Sequence, residues 1–148
     1  MRNVLLILHI LGAGAWFGGN MVQLLVNPRI GESGSTVAAH WLRTTARFGT
    51  RLYTPAAVLI LVTGIWLVLI TPYEFSDVFV SIGFLVVIAG AALGMAVFGP
   101  TGRKAADAHE SGDAQTAQIA ERRLAGFGSL DTVLVVVAIT VMVLRLGA

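Results

Sequence analysis

Five side chains in the first thirty residues have types and spacing suited to chemistry: His9, Trp16, Asn20, Gln23 and Asn27. An imidazole can ligate a metal or a haem or carry a proton, and amides can hydrogen-bond a bound molecule. On a helix turning about 100° per residue, all five point within about 40° of the His9 direction. The residues around them, in "LHILGAGAWFGGNMVQLLVNPRI" (8–30), are mostly apolar. The polar stripe runs for about 27 Å at 1.5 Å per residue, close to the thickness of the hydrocarbon core of a bilayer. Such a stripe serves either as interhelical hydrogen-bonding glue or as the wall of a pocket or path.

The chain that must position these groups has 148 residues, 56% hydrophobic and only 12% charged. A mean hydropathy of +0.82 with half the usual share of charge reads as a polytopic membrane protein. Cysteine is absent, which excludes disulfides, thiolate metal sites and cysteine nucleophiles. The net charge of +2 reflects arginines placed near lipid. No basic segment with interleaved aromatics faces water, so nucleic acid is not an expected partner. Paired carboxylates, a phosphate-binding glycine loop and a Ser/His/Asp set are likewise missing from the apolar runs.

Four apolar runs, roughly 4–26, 53–70, 78–99 and 130–146, are each near the length that crosses a bilayer. Arg2 and the small residues Ala13-Gly14-Ala15 loosely imitate a signal peptide, but the first run continues past them to Val26 and reads as a retained span. Runs this long exclude barrel strands, so the fold expected is all-α: a transmembrane four-helix bundle with short amphipathic cytoplasmic helices, in one domain covering 1–148. Arg29, Arg43, Arg47 and Arg51 follow the first run, and Arg103, Lys104, Arg122 and Arg123 follow the third. The positive-inside rule then puts both long connections in the cytoplasm and both termini outside.

The connections carry their own signals. Arg43, Arg47 and Arg51 recur every four residues, a basic helical face expected to lie on lipid headgroups. Pro55 should kink or restart the second span. A short helix is expected over 114–125, capped by Asp113 and ended by Gly126, with His109 solvated. Ser129 then reads as the N-cap of the fourth span. Asp131 falls in that span's first turn, where the helix dipole favours a carboxylate. Two small-residue pairs, Gly14/Gly18 and Gly90/Gly94, with Gly83 on the latter face, are expected to pack helices, within the chain or between copies.

Depth selects partners for His9. The fourth span returns outward, bringing Met142 to a similar level with Arg145 just above it. Met21 and Met95 form a second tier nearer the basic side. Imidazole and thioether together suit haem or Cu(I). His40 and His109 lie on the opposite side, so a bis-histidine haem would need a second subunit.

The segment "LHILGAGAWFGG" resembles the first helix of copper-resistance-D-like proteins and of the neighbouring membrane protoporphyrinogen oxidase family. "RFGTRLYTPAAVLILVTGIWLVL" resembles their next helix, and "AERRL" with "VMVLRLGA" is similar to an uncharacterised bacterial four-span family close to both. The resemblance implies a multi-pass bundle of a bacterial inner membrane, whose first-helix histidine holds haem b or copper. The chain departs from the oxidase pattern at two points: Pro28-Arg29 lies about one turn late, and the only lysine is Lys104 in a connection. The expectation is a cofactor-binding membrane module, with His9 and Met142 as ligands and Trp16 and Arg145 around them. Rival expectations are an oligomeric channel or transporter lined by Asn20, Gln23 and Asn27, and an accessory subunit of a larger membrane complex.

Overall fold

The computed structural model describes residues 1–147. Helix α1 spans Arg2–Ile30, and a single 3-10 turn at Gly31–Ser33 reverses the chain. Helix α2 (Ser35–Ala46) leads through a π-turn at Gly49–Tyr53 into α3 (Thr54–Leu69). Helix α4 (Val78–Leu93) leads through a second π-turn at Gly94–Phe98 into α5 (Gly99–Ser111). Helix α6 then runs unbroken over Ala114–Leu144. Four helical rods result, each long and apolar enough to cross a membrane.

The rods overshoot the hydrocarbon. The 31 residues of α6 extend about 46 Å, against a core of about 30 Å. The excess gathers at the basic end, where α2 and α5 pack together and α5 packs on α6. Small residues make this possible: Ala39, Ala105, Ala106 and Ala120 form a buried cluster around Leu42. In the apolar half, α1 packs on α3 and α6, and α4 on α6, around Trp16, Ile60, Val86, Val87 and Val135. Val58, Val62, Leu85, Ile88, Val133 and Val143 point outward, as a lipid-facing surface requires.

The expected break between the two helices of the last segment is absent. Gly126, Gly128 and Ser129 sit inside α6, so Gly126 does not end a helix and Ser129 does not begin one. The helix runs through the stretch despite its glycines, which weaken a helix without ending it. The cap at Asp113 is present, its carboxylate accepting from the Thr116 N–H at 3.0 Å, and Gly112 closes α5 at φ 76°, a left-handed conformation that glycine adopts freely.

The two π-turns share a cause and a sequence form. "GTRLYTP" (49–55) and "GMAVFGP" (94–100) both place glycine six residues before proline. Proline lacks an N–H, and its ring crowds the carbonyl four residues back. Each helix widens by one residue instead of breaking: the Thr54 N–H donates to Gly49 O, and the Gly99 N–H donates to Gly94 O. Pro55 therefore re-forms the second rod without ending it.

Glycines set the α1–α3 approach, but not the expected pair. A Cβ at Gly12 would sit 2.9 Å from Ile60, and one at Gly19 2.8 Å from Leu52. Gly14, Gly18 and Gly94 have open space where a Cβ would stand, among the described residues. Within the chain they pack no helix. Gly90 does, lying directly against the Trp16 ring, and Gly83 lies against Met142.

Candidate functional site

The polar stripe of α1 faces into the bundle and meets an acid on α6. Trp16 Nε1 donates to Asp131 Oδ2 at 3.0 Å, and Asn20 Nδ2 donates to the same oxygen at 2.8 Å. The Tyr53 hydroxyl donates to Asn20 Oδ1 at 2.8 Å and accepts from Gln23 Nε2 at 2.6 Å. Every donor in the series Gln23, Tyr53, Asn20 points toward the carboxyl, so the bonds polarise one another in one direction. The Tyr53 and Trp16 rings meet edge to face at 5.8 Å.

Asp131 is only 2% exposed, and the helix-dipole reading of it does not hold. It lies 17 residues beyond Ala114, deep inside α6, where terminal dipole charge has faded. Its Oδ1 is buried with no hydrogen-bond partner among the described residues. Gly90 covers it, a Cβ there falling 3.1 Å from Oδ1, so at this position α4 approaches closely only as glycine. An ionisable group so placed in a membrane helix is a functional candidate by default.

Beside this network lies a cavity of about 460 Å³ between α1, the two π-turns, α2 and α6. Trp16, Asn20, Gln23 and Asn27 line one wall, with Tyr53 and Asp131, their hydrogen-bond partners, beside them. Leu24, Leu42, Phe98 and Leu124 make the remainder largely apolar, with Arg122 and Thr45 toward the basic end. The Asn27 carbonyl oxygen accepts from Trp41 Nε1 at 2.7 Å, which leaves its NH₂ for the cavity. The volume and the few converging polar groups suit a small organic molecule.

His9 stands apart from that cavity. Its Nδ1 lies 3.1 Å from Ile60 O and 3.0 Å from Thr63 Oγ1. The Ile60 carbonyl only accepts, and the Thr63 hydroxyl already donates to Leu59 O, so Nδ1 carries the proton and Nε2 keeps its lone pair. Gly64 admits the ring, with a Cβ site 3.1 Å from His9 Cε1. His9 and Met142 line one small apolar pocket of about 40 Å³, with Trp16, Ile60 and Gly83.

Arg145 does not join them. Helix α6 ends at Leu144, the chain turns at φ 50°, and the guanidinium sits 5.9 Å from the centre of the Tyr73 ring. Met95, in the second proposed tier, is 76% exposed and offers nothing to an interior ligand. The basic face also divides. Arg47 and Arg51 are exposed, as headgroup contact requires, whereas Arg43 reaches across to α5, pairing with Glu110 at 2.6 Å and Asp107 at 2.9 Å. That guanidinium holds the Glu110 carboxyl below its ordinary range. His109, expected in solvent, is largely covered and meets Glu121 at 2.7 Å. Among the described residues no three His, Cys, Asp or Glu side chains gather as a metal site.

Residues 3–146 match the family described as "Predicted integral membrane protein (DUF2269)". The chain belongs to that family. No curated protein and no solved structure matches it. Membership accords with four spanning rods and leaves the activity to be argued from the site.

Proposed function

We propose that this chain is a membrane binding module whose ligand, a small amphiphilic organic molecule, occupies the cavity beside Asp131. The observation that carries the reading is the alignment of Trp16, Asn20, Gln23 and Asn27 along one wall of a 460 Å³ space whose other walls are largely apolar. Glue alone would consume the polar groups in pairs. Asn20 is consumed that way, but the Asn27 NH₂ and the Gln23 carbonyl make no hydrogen bond among the described residues. They are free to fix a ligand's orientation, while the leucines and Phe98 take its apolar part. With the arginine-rich end in the cytoplasm, as the positive-inside rule assigns, the cavity lies at the inner-leaflet side and exchanges ligand with that leaflet.

Native mass spectrometry of the purified protein with a series of medium-chain amphiphiles tests this. One ligand per chain is expected for wild type, reduced in Gly94→Leu and Gly128→Leu, whose side chains would occupy open space at cavity-lining positions. Equal binding by the filled variants would overturn the reading.

A second reading concerns metal. The resemblance implies haem or copper at His9, and the residues present fit the two unequally. A pocket of about 40 Å³ is about the room of one water and does not admit a porphyrin. His9 Nε2 with the Met142 thioether suits a single soft ion such as Cu(I), and the Nδ1–H···O=C bond to Ile60 is the outer-sphere contact that steadies a ligating imidazole. Bound copper in wild type, lost in His9→Ala, would support that assignment; copper equally retained or absent in both would remove it.

A further inference from the structure

We infer that the amphiphile has a cationic head, an organic ammonium, and that Asp131 is the group that recognises it; this rests on the cavity being a ligand site. Asp131 is the acid at the membrane end of the cavity, and no lysine or arginine pairs with it among the described residues. Trp16 and Asn20 donate to Oδ2 and stabilise negative charge there, and the one-way series from Gln23 through Tyr53 adds to it. Oδ1 receives no hydrogen bond among the described residues. A buried carboxylate with one oxygen bare is costly in an apolar medium until a cation or donor meets it. An anionic head would be repelled at the same place.

The remaining surroundings favour an organic cation over a metal ion. Trp16 and Tyr53 present aromatic rings beside the acid, and ammonium groups bind well against such rings. Among the described residues the cavity wall holds one further carboxylate, Glu121, which meets His109 at 2.7 Å, and a hard metal ion requires more. The free Gln23 carbonyl supplies a second acceptor for N–H. Gly90 leaves the space beside Oδ1 free of a side chain, a Cβ there falling 3.1 Å from that oxygen. Trp16, hydrogen-bonded to Oδ2, reports on the carboxyl directly.

The experiment uses the full chain in detergent, with Trp41→Phe and Trp66→Phe so that Trp16 alone fluoresces, titrated with octylamine, octanol and octanoate at neutral pH. Octylamine is expected to bind about tenfold or more tightly than octanol, the worth of one charge-assisted hydrogen bond, with a shift in Trp16 emission, and octanoate weakest. In Asp131→Asn the preference for amine over alcohol is expected to vanish. If octanol or octanoate binds as well as octylamine, the cationic head is wrong while the cavity reading stands. If none of the three binds, both fail. The comparison of the three ligands leaves Asp131 in place, so a poorly folding Asp131→Asn leaves the test intact. An amine preference that survives in a folded Asp131→Asn would also overturn the assignment.

Discussion

Asn20 and Asp131, 111 residues apart in sequence, meet through one hydrogen bond of 2.8 Å that joins the first helix to the last. With Trp16 donating to the same oxygen, the carboxyl holds α1 against α6 at the level where the cavity begins. Asp131→Ala strands both donors. Interhelical hydrogen bonds in membranes average about 0.6 kcal/mol, and a stranded buried donor costs about 1–3 kcal/mol, so a loss of about 1–3 kcal/mol is expected. Asp131→Asn keeps one acceptor oxygen and should lose less. Unfolding of the purified variants in mixed micelles gives the ranking, and equal stability of all three proteins would contradict it.

The glycines sort by what stands beside them. Gly90→Ala drives a methyl into the Trp16 ring and against Asp131 Oδ1 and should destabilise by about 1–3 kcal/mol, the usual range for overpacking. Gly83→Ala meets only the end of the flexible Met142 side chain and should cost less. Gly14→Ala and Gly18→Ala meet nothing and should be neutral in the single chain. A marked loss at Gly14 or Gly18 would mean that this face packs against another molecule. Thermal denaturation in detergent distinguishes the cases.

His9 should be found in the tautomer with the proton on Nδ1, because the Ile60 carbonyl can only accept. Nitrogen-15 NMR of the labelled imidazole reads this directly. A proton on Nε2 would contradict the geometry and would remove the lone pair that a metal needs.

Acid should loosen the α5–α6 turn before the spans. The Arg43 guanidinium lowers Glu110, and the Thr116 N–H lowers Asp113. A carboxyl lowered on folding contributes stability that is complete above its ordinary value, 4.5 for Glu110 and 3.8 for Asp113, and is lost as pH falls through the lower folded value. Amide exchange around 107–117, measured against span residues, should accelerate there. Arg43→Ala should remove the Glu110 part of that response, and added salt should weaken it, since the pair is exposed.

Periodicity and hydropathy disclosed the spans and the inward face of α1, because a lipid-facing amide is expensive wherever the sequence continues. They failed at "LAGFGSLDT" (124–132). Glycines and serine there carry local signals for a helix end, yet α6 runs through them. That one misplaced boundary turned Asp131 from a buried acid into a first-turn residue favoured by a helix dipole and hid the partner of Trp16 and Asn20. Two signals in the sequence point the other way. An aspartate followed by "TVLVVVAITV" has the apolar flank of a span, and the paired G-x5-P motifs mark prolines that widen helices instead of ending them. The reach of Tyr53 to Asn20, and of Arg43 to α5, depends on contacts between distant segments that no local pattern encodes.

Photolabelling locates the ligand. With an octylamine carrying a terminal diazirine, labels are expected on cavity walls, at Leu24, Leu42, Phe98 and Leu124, and unlabelled octylamine should compete them away. Labels confined to outward residues such as Val58, Leu85 and Val133, without competition, would place the amphiphile in the surrounding lipid and leave the cavity without a role.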